Sequence, residues 1–142
     1  MKKELFKQYI GLQYEFEAGP GDASDKLNCQ KLVHKIYEEA GHPLPSNLLS
    51  KEIFEDEIIF RNVDVDNKKE VLDIYVFGKK DETDHKKFHL AIFTGLYAEN
   101  NDPILIHASG RAKKVIYTTL SKFLEYRNGC EELKAIKRLK TI

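Results

Sequence analysis

The stretch SDKLNCQKLVHKIYEEAGHPLP, residues 24–45, decides the fold. Its apolar residues recur at the spacing of one helical face and predict a single helix: Cys29, Leu32, Val33, Ile36, Tyr37 and Ala40. Residues that cap a helix start come first, namely Ser24, Asp25 and Asn28. The helix should end at Gly41, before Pro43 and Pro45. The other face should meet water through Lys31, His34, Lys35 and Glu38.

The cysteine in the first turn of this helix has two interpretations. Cys29 is either a small core residue, as most free cysteines are, or a nucleophile whose pKa the positive helix N-terminus lowers. A nucleophile needs a base, usually a histidine distant in sequence. Under that interpretation iodoacetamide should alkylate Cys29 well below pH 8. It should react more slowly with Cys130, which we interpret as an incidental thiol in a polar turn.

Composition restricts the possible classes of protein. The 142 residues suit one domain, residues 1–142, and the hydrophobic share of 42% is ordinary. Basic and acidic residues balance at 23 each, so no net field favours nucleic acid or an anionic membrane. The first 19 residues have no uninterrupted apolar run, and no stretch could span a bilayer, which predicts a cytoplasmic location. Two cysteines without zinc-ligand spacing predict no metal and no cofactor.

The order of helical and extended patterns predicts an α+β fold. Helices are expected at residues 2–9 and 47–60, with an extended segment at 58–60 as the alternative, and a helical turn at 121–126. Strands rich in β-branched and aromatic residues are expected at 71–77, 88–94, 104–108 and 115–120, the first two ended by Gly78 and Gly95. Residues 131–139 fit a helix or an edge strand equally well. An antiparallel sheet should then pack against the cysteine helix.

Two of the five histidines stand out. His34 lies about 140° around the helix from Cys29 and should be solvated; His42 and His85 should also be exposed. His89 and His107 each interrupt an apolar strand, where burial without a partner would cost roughly 1–3 kcal/mol. Either one alone would usually be a satisfied core residue.

Together with a cysteine at a helix start, the two strand histidines suggest acyl transfer, with both imidazoles expected to point at the sheet face that receives the cysteine helix. His89 would take the proton of Cys29, and His107 would fix the tautomer of His89. A metal site made of the same three residues is the less favoured interpretation, because no ligands cluster in the sequence.

Five short motifs occur in one order along residues 9–127. They are Gly11-Leu12-Gln13-Tyr14, Asn28-Cys29-Gln30-Lys31-Leu32-Val33 with the following Ala40-Gly41, Leu72-Asp73-Ile74-Tyr75-Val76-Phe77, His89-Leu90-Ala91-Ile92-Phe93-Thr94-Gly95 and Ile106-His107-Ala108-Ser109. In these motifs the chain resembles the NlpC (p-sixty) family of papain-like cysteine peptidases. The resemblance implies a papain-like fold, with N-terminal helices on a C-terminal antiparallel sheet and the nucleophile at the N-terminus of the central helix.

The resemblance also implies roles for individual residues. Cys29 would be the nucleophile, His89 the general base and His107 the residue that orients it. Tyr14 matches the tyrosine whose hydroxyl, with the Cys29 backbone N–H, stabilises the oxyanion; a packed core tyrosine is the alternative. The implied substrate is a cell-wall-type peptide with a γ-D-glutamyl amide, or a similar small amide.

The chain departs from the family beside the cysteine. Asn28 and Gln30 stand where the family has an aspartate and a serine that hold the free amine of the substrate, and Lys31 replaces a glycine. These positions are the candidate substrate-binding residues, and asparagine lacks the charge that an ammonium group requires. The alternatives are therefore a non-catalytic binding or interaction module on the same scaffold, or an acyltransferase of the same superfamily. The sequence does not predict the oligomeric state.

Overall fold

The structure, a computed structural model, describes residues 2–126 and 131–140. Its helices are α1 (Lys2–Lys7), α2 (Cys29–Glu39), α3 (Ser50–Glu55) and α4 (Leu120–Tyr126). Its strands are β1 (Phe60–Asn62), β2 (Ile74–Lys79), β3 (His89–Ala98), β4 (Asp102–Ser109), β5 (Lys114–Thr119) and β6 (Glu131–Leu139). The strands form one antiparallel sheet in the order β1-β6-β2-β3-β4-β5. The predicted α+β class with an antiparallel sheet is confirmed.

Helix α2 begins at Cys29, so Ser24 and Asp25, the first two candidate capping residues, do not cap it. Asn28 is the cap, and its side-chain Oδ1 accepts a hydrogen bond of 2.9 Å from the backbone N–H of Lys31. The helix ends before Gly41, which has a φ of 89°. Its apolar face, Leu32, Val33, Ile36 and Tyr37, is buried as predicted.

Two residues predicted to face water on this helix do not. Lys31 is only 4% exposed because its ammonium group donates to the carbonyl oxygens of Ser24 and Lys26, at 2.7 and 2.8 Å. His34 is half-buried, and its Nε2 lies 2.6 Å from the carbonyl oxygen of Leu48. Each polar group is thus satisfied by backbone carbonyls outside the helix, which lets its side chain leave water.

The two faces of the sheet carry separate apolar clusters. One face packs against α1 and α2 and contains Leu90, Ile92, Ile106 and Ala108. The opposite face contains Ala91, Phe93 and Leu105, and it packs against Phe123 of α4. Because side chains alternate along a strand, neighbouring residues of β3 and β4 serve different clusters.

Glycines do not end the strands as predicted. Strand β2 continues through Gly78, where a side chain would lie 2.5 Å from the ring of Phe88, so only glycine lets that ring pack. Strand β3 continues through Gly95, whose φ is +86°, and the β3–β4 register shifts between Phe93 and Tyr97. Gly95 therefore marks an irregularity within the strand rather than its end.

Residues 131–139, whose pattern fits a helix or an edge strand, form strand β6, which is an interior strand of the sheet. It lies between β1 and β2 and pairs with both. Arg138, 8% exposed, bonds the carboxylate of Asp73, 1% exposed, through Nε and Nη2 at 2.8 Å each. This partner on the loop before β2 is what permits a charged residue in an interior strand.

Helix α3 is shorter than predicted. It occupies Ser50–Glu55, and strand β1 begins at Phe60. Ile58 lies between these two elements and is 84% exposed. None of the helices in the described part of the chain combines the length and the apolar character needed to cross a membrane.

Candidate active site

The two strand histidines form a hydrogen-bonded pair. Nε2 of His89, the first residue of β3, lies 2.9 Å from Nδ1 of His107 on the adjacent β4. A bond between two ring nitrogens requires that one carries a proton and the other accepts it. When Nε2 of His89 carries that proton, its Nδ1 is the unprotonated, basic nitrogen.

Phe123 of α4 holds both imidazole rings. It stacks nearly parallel on His89, with ring centroids 5.5 Å apart and a 14° interplanar angle. It meets His107 edge-on, at 5.2 Å and 80°. His107 is 4% exposed and Phe123 only 2%, whereas His89 is half-buried. One face of the histidine pair is therefore closed to water.

His89 lines a cleft of about 630 Å³ together with Tyr14, Phe16, Gly110 and Arg111. Tyr14 reaches this cleft because its segment is fixed at both sides: its backbone N–H bonds the Lys113 carbonyl at 3.0 Å, and it pairs with Leu27 ahead of α2. Tyr14 and His89 therefore line the same cleft, and the oxyanion role of Tyr14 stays a prediction.

Cys29 opens α2, but its thiol does not face the cleft. The groups that lower the pKa of its thiol are the backbone N–H of Leu90, the Ser50 hydroxyl and the N–H groups of Cys29 and Gln30, so the sulfur lies near them. The imidazole of His89 is not among them. Burial raises the pKa of the Cys29 thiol and outweighs these donors, which lower it. The N–H groups at the helix N-terminus do lower the thiol pKa, as predicted, but burial has the larger effect, so the predicted net lowering is wrong.

The sulfur and the imidazoles approach β3 from different faces. His89 and His107 alternate with Leu90 and Ala108, so their rings lie on the Phe123 face while Cys29 packs in the α2 cluster. The structure pairs His89 with His107 and places Tyr14 in the cleft that His89 lines. It places the Cys29 sulfur against the strand one residue further along, at Leu90.

Asn28 and Gln30, the candidate substrate-binding residues, both make structural hydrogen bonds. Besides capping α2, Asn28 donates from Nδ2 to the carbonyl oxygen of Phe16 at 3.0 Å. Oε1 of Gln30 accepts from the backbone N–H of Ser50 at 2.8 Å. These bonds tie the start of α2 to the cleft wall and to α3.

Other candidates fall outside this arrangement. His85, predicted to be exposed, contacts the carboxylate of Glu55 at 2.7 Å. Within residues 2–126 and 131–140 no three His, Cys, Asp or Glu side chains are grouped so as to hold a metal ion. The alternative metal site of Cys29, His89 and His107 is therefore not formed. Cys130 lies outside the described residues.

Sequence reasoning missed the roles of Phe123 and Ser50. Both were assigned only to helical segments, and no local pattern links either one to the histidines or to Cys29.

Comparison of the chain with protein-family models and with curated proteins found no match. The resemblance to the NlpC family therefore depends on the sequence motifs alone.

The burial of the thiol predicts slow alkylation at neutral pH. A raised pKa keeps the sulfur protonated to higher pH, so the thiolate that reacts with iodoacetamide is scarcer at pH 7 than in the unfolded chain. In a Cys130→Ser background, Cys29 should be labelled more slowly in native protein than in urea, and the native rate should rise with pH beyond the point where the urea rate levels off. Equal rates in the two states at pH 6–7 would contradict the burial of this thiol.

Proposed function

We propose that the protein is a cysteine peptidase or amidase of the papain-like fold, similar to the NlpC family. In this proposal Cys29 attacks the amide, His89 is the general base and His107 orients His89. The observation that carries the proposal is the 2.9 Å hydrogen bond between the imidazoles of His89 and His107. His89 begins β3, and the next residue of that strand, Leu90, lies near the Cys29 sulfur. The pairing is the arrangement that a general base and its orienting group require.

The reaction follows from the atoms at the site. The Cys29 proton passes to Nδ1 of His89 as the sulfur bonds the carbonyl carbon, and the Tyr14 hydroxyl donates to the oxyanion. His89 then protonates the leaving amine, and the carbon–nitrogen bond breaks to give an acyl-enzyme. Water attacks this thioester after giving a proton to His89, which returns it to the departing sulfur.

The thiol must turn toward the histidine for this reaction. In the resting position the sulfur is neutral and held by Leu90 and Ser50. Because the sulfur lies on the α2 face of the sheet and the imidazoles lie on the Phe123 face, a change of the Cys29 χ1 rotamer has to be accompanied by a movement of the backbone around Cys29. A protein that works in this way uses general-base activation during attack rather than a permanent thiolate–imidazolium pair.

The proposed substrate is an amide of a cell-wall-type peptide or a similar small amide. An acyltransferase of the same superfamily would share every step up to the thioester and would replace water by another acceptor.

A non-catalytic binding module is the second candidate. The observation that favours it is the buried, neutral thiol, which makes its hydrogen bonds to Ser50 and to backbone N–H groups rather than to His89. Equally slow alkylation of Cys29 and Cys130 would favour this binding module, since a nucleophilic Cys29 is predicted to react well below pH 8.

Incubation with a panel of muropeptides and peptide amides in H₂¹⁸O, followed by mass spectrometry, tests the proposal. The wild type should release an acid that contains one ¹⁸O atom, and Cys29→Ala should release none. An acyl product without ¹⁸O would indicate transfer instead of hydrolysis. Cleavage that persists in Cys29→Ala, or no conversion of any panel member by the wild type, would remove the mechanism.

A further inference from the structure

A second cavity borders the histidine pair. Its volume is about 360 Å³, and it lies where β4, β5 and α4 meet, with the β4–β5 turn at one end. The strand and helix residues that line it are His107, Ser109, Ile116, Thr118 and Phe123. His89 lines the cleft and His107 lines this cavity, so each imidazole of the pair borders a different space. The proposed reaction uses only the cleft.

The cavity forms because α4 covers only part of its sheet face. The apolar cluster that contains Phe123 takes its described strand residues from β2, β3, β4 and β6, and none from β5. Phe123 itself packs on Phe77 of β2, with ring centroids 4.1 Å apart. Ile116 and Thr118 of β5 lie on the same face, in register with buried residues of β4, and are half-buried. Their side chains therefore border a space that the protein does not fill.

Ser109 offers a hydrogen-bond donor at this cavity. The residue is 6% exposed, and its Oγ accepts a hydrogen bond of 3.0 Å from the backbone N–H of Ala112. A serine hydroxyl also has one proton to donate. Within residues 2–126 and 131–140 no acceptor receives that proton. A buried donor without an acceptor is unfavourable, and an oxygen atom of a ligand in the cavity would satisfy it.

The rest of the lining favours an uncharged, apolar ligand. Ala112, Ile116 and the Phe123 ring offer carbon surface. The Thr118 hydroxyl already donates to the carbonyl oxygen of the next residue at 3.2 Å. Arg111 carries a charge but already has an interaction within the protein, so the cavity does not require an ionic ligand. A cavity of about 150 Å³ is enough for benzene, so a volume of about 360 Å³ accommodates a substituted aromatic ring.

We infer that this cavity is a binding site for a small neutral molecule that combines an apolar ring with a carbonyl oxygen. The ring packs against Ile116 and Phe123, and the oxygen accepts the proton of the Ser109 hydroxyl. Because His107 lines the cavity and bonds His89, the bound molecule touches the histidine pair without entering the cleft. The site does not depend on the proposed function.

Titration of three ring compounds into ¹⁵N-labelled protein at neutral pH tests the site. Acetophenone has a ring and a carbonyl acceptor, toluene lacks the acceptor, and benzoate is charged. Acetophenone should shift the amide signals of Ser109, Ile116 and Thr118 with a Kd of about 1 mM, the order expected for a molecule of its size. Toluene should bind about fivefold more weakly because it accepts no hydrogen bond. Benzoate should bind about tenfold more weakly because its charge would lose water.

Matched variants locate the binding. Ser109→Ala should lower the affinity for acetophenone to that for toluene and should leave the affinity for toluene unchanged. Ile116→Trp, which fills the cavity, should remove the binding of both compounds. Tyr117→Ala is the control and should preserve both affinities, because Tyr117 is in register with Ile106 and lies on the opposite face of β5.

Four results would each overturn the inference: no shift of the cavity signals with acetophenone, tighter binding of benzoate than of acetophenone, an equal loss of both affinities in Ser109→Ala, or unchanged binding by Ile116→Trp. Acetophenone binding by a protein that hydrolyses no amide would keep this site and remove only the proposed function. Hydrolysis without such binding would do the reverse.

Discussion

Replacing His89 with alanine should lower kcat/KM for amide hydrolysis by about 10³-fold or more, as much as removing the sulfur. The reason is the state of the thiol. Burial raises its pKa, so the sulfur has no appreciable thiolate of its own and depends on a base at the moment of attack. Without the imidazole, the proton has no acceptor.

A double substitution separates this role from a general loss of structure. Because nucleophile and base act as a unit, Cys29→Ala with His89→Ala should be no less active than either single variant. His107→Ala should cause a smaller loss, since it removes only the group that orients His89. His42→Ala is the matched control, because His42 follows the far end of α2, roughly 15 Å or more from Cys29. Retention of more than a tenth of the activity in His89→Ala would contradict the assigned base.

Replacing Asp73 with asparagine should destabilise the protein by about 3–5 kcal/mol. The carboxylate is 1% exposed and receives two hydrogen bonds from Arg138 and one of 2.9 Å from the backbone N–H of Glu70. An amide of the same shape removes the more buried of the two carboxylates that pair with the guanidinium, the other being Glu70 at 3.0 Å, and places an N–H donor opposite another donor. The free energy of unfolding of a single domain is about 5–15 kcal/mol, so this substitution would remove a large fraction of it.

Urea unfolding followed by circular dichroism measures this change. The matched control is Glu132→Gln, which removes the partner of Lys134 at 2.9 Å from a half-exposed site and should change the free energy of unfolding by less than about 1 kcal/mol. Similar shifts of the urea midpoint in the two variants would mean that the buried Asp73–Arg138 pair stabilises the protein no more than the exposed Glu132–Lys134 pair.

Elements with a local signature could be predicted from the sequence. The helix that begins near Cys29 follows from a periodicity contained in eleven residues, and tertiary contacts reinforce it. Strand β6 has no such signature, because Lys137 and Arg138 make its pattern ambiguous. Its interior position depends on Asp73, which is 65 residues away from Arg138 in the chain and pairs with it only in the folded sheet.

The candidate site also has one part that local sequence predicts and another that depends on long-range contacts. Each strand histidine is conspicuous by itself, as a polar residue in an apolar strand, and the inference that they pair needs only adjacent strands. The position of the sulfur depends on Ser50 of α3 and on the backbone of Leu90, two long-range contacts. The direction of its pKa shift depends on burial, which local helix geometry does not determine.

The place of β6 has a consequence for synthesis on the ribosome. This strand is the last of the described strands to be translated, yet it fills the gap between β1 and β2. Until residue 139 has emerged, the nascent chain carries an unfilled slot with two open edges, which another strand can enter. Translation that stops before residue 131 would release such an incomplete sheet, so the product is expected to depend on chaperones or to aggregate.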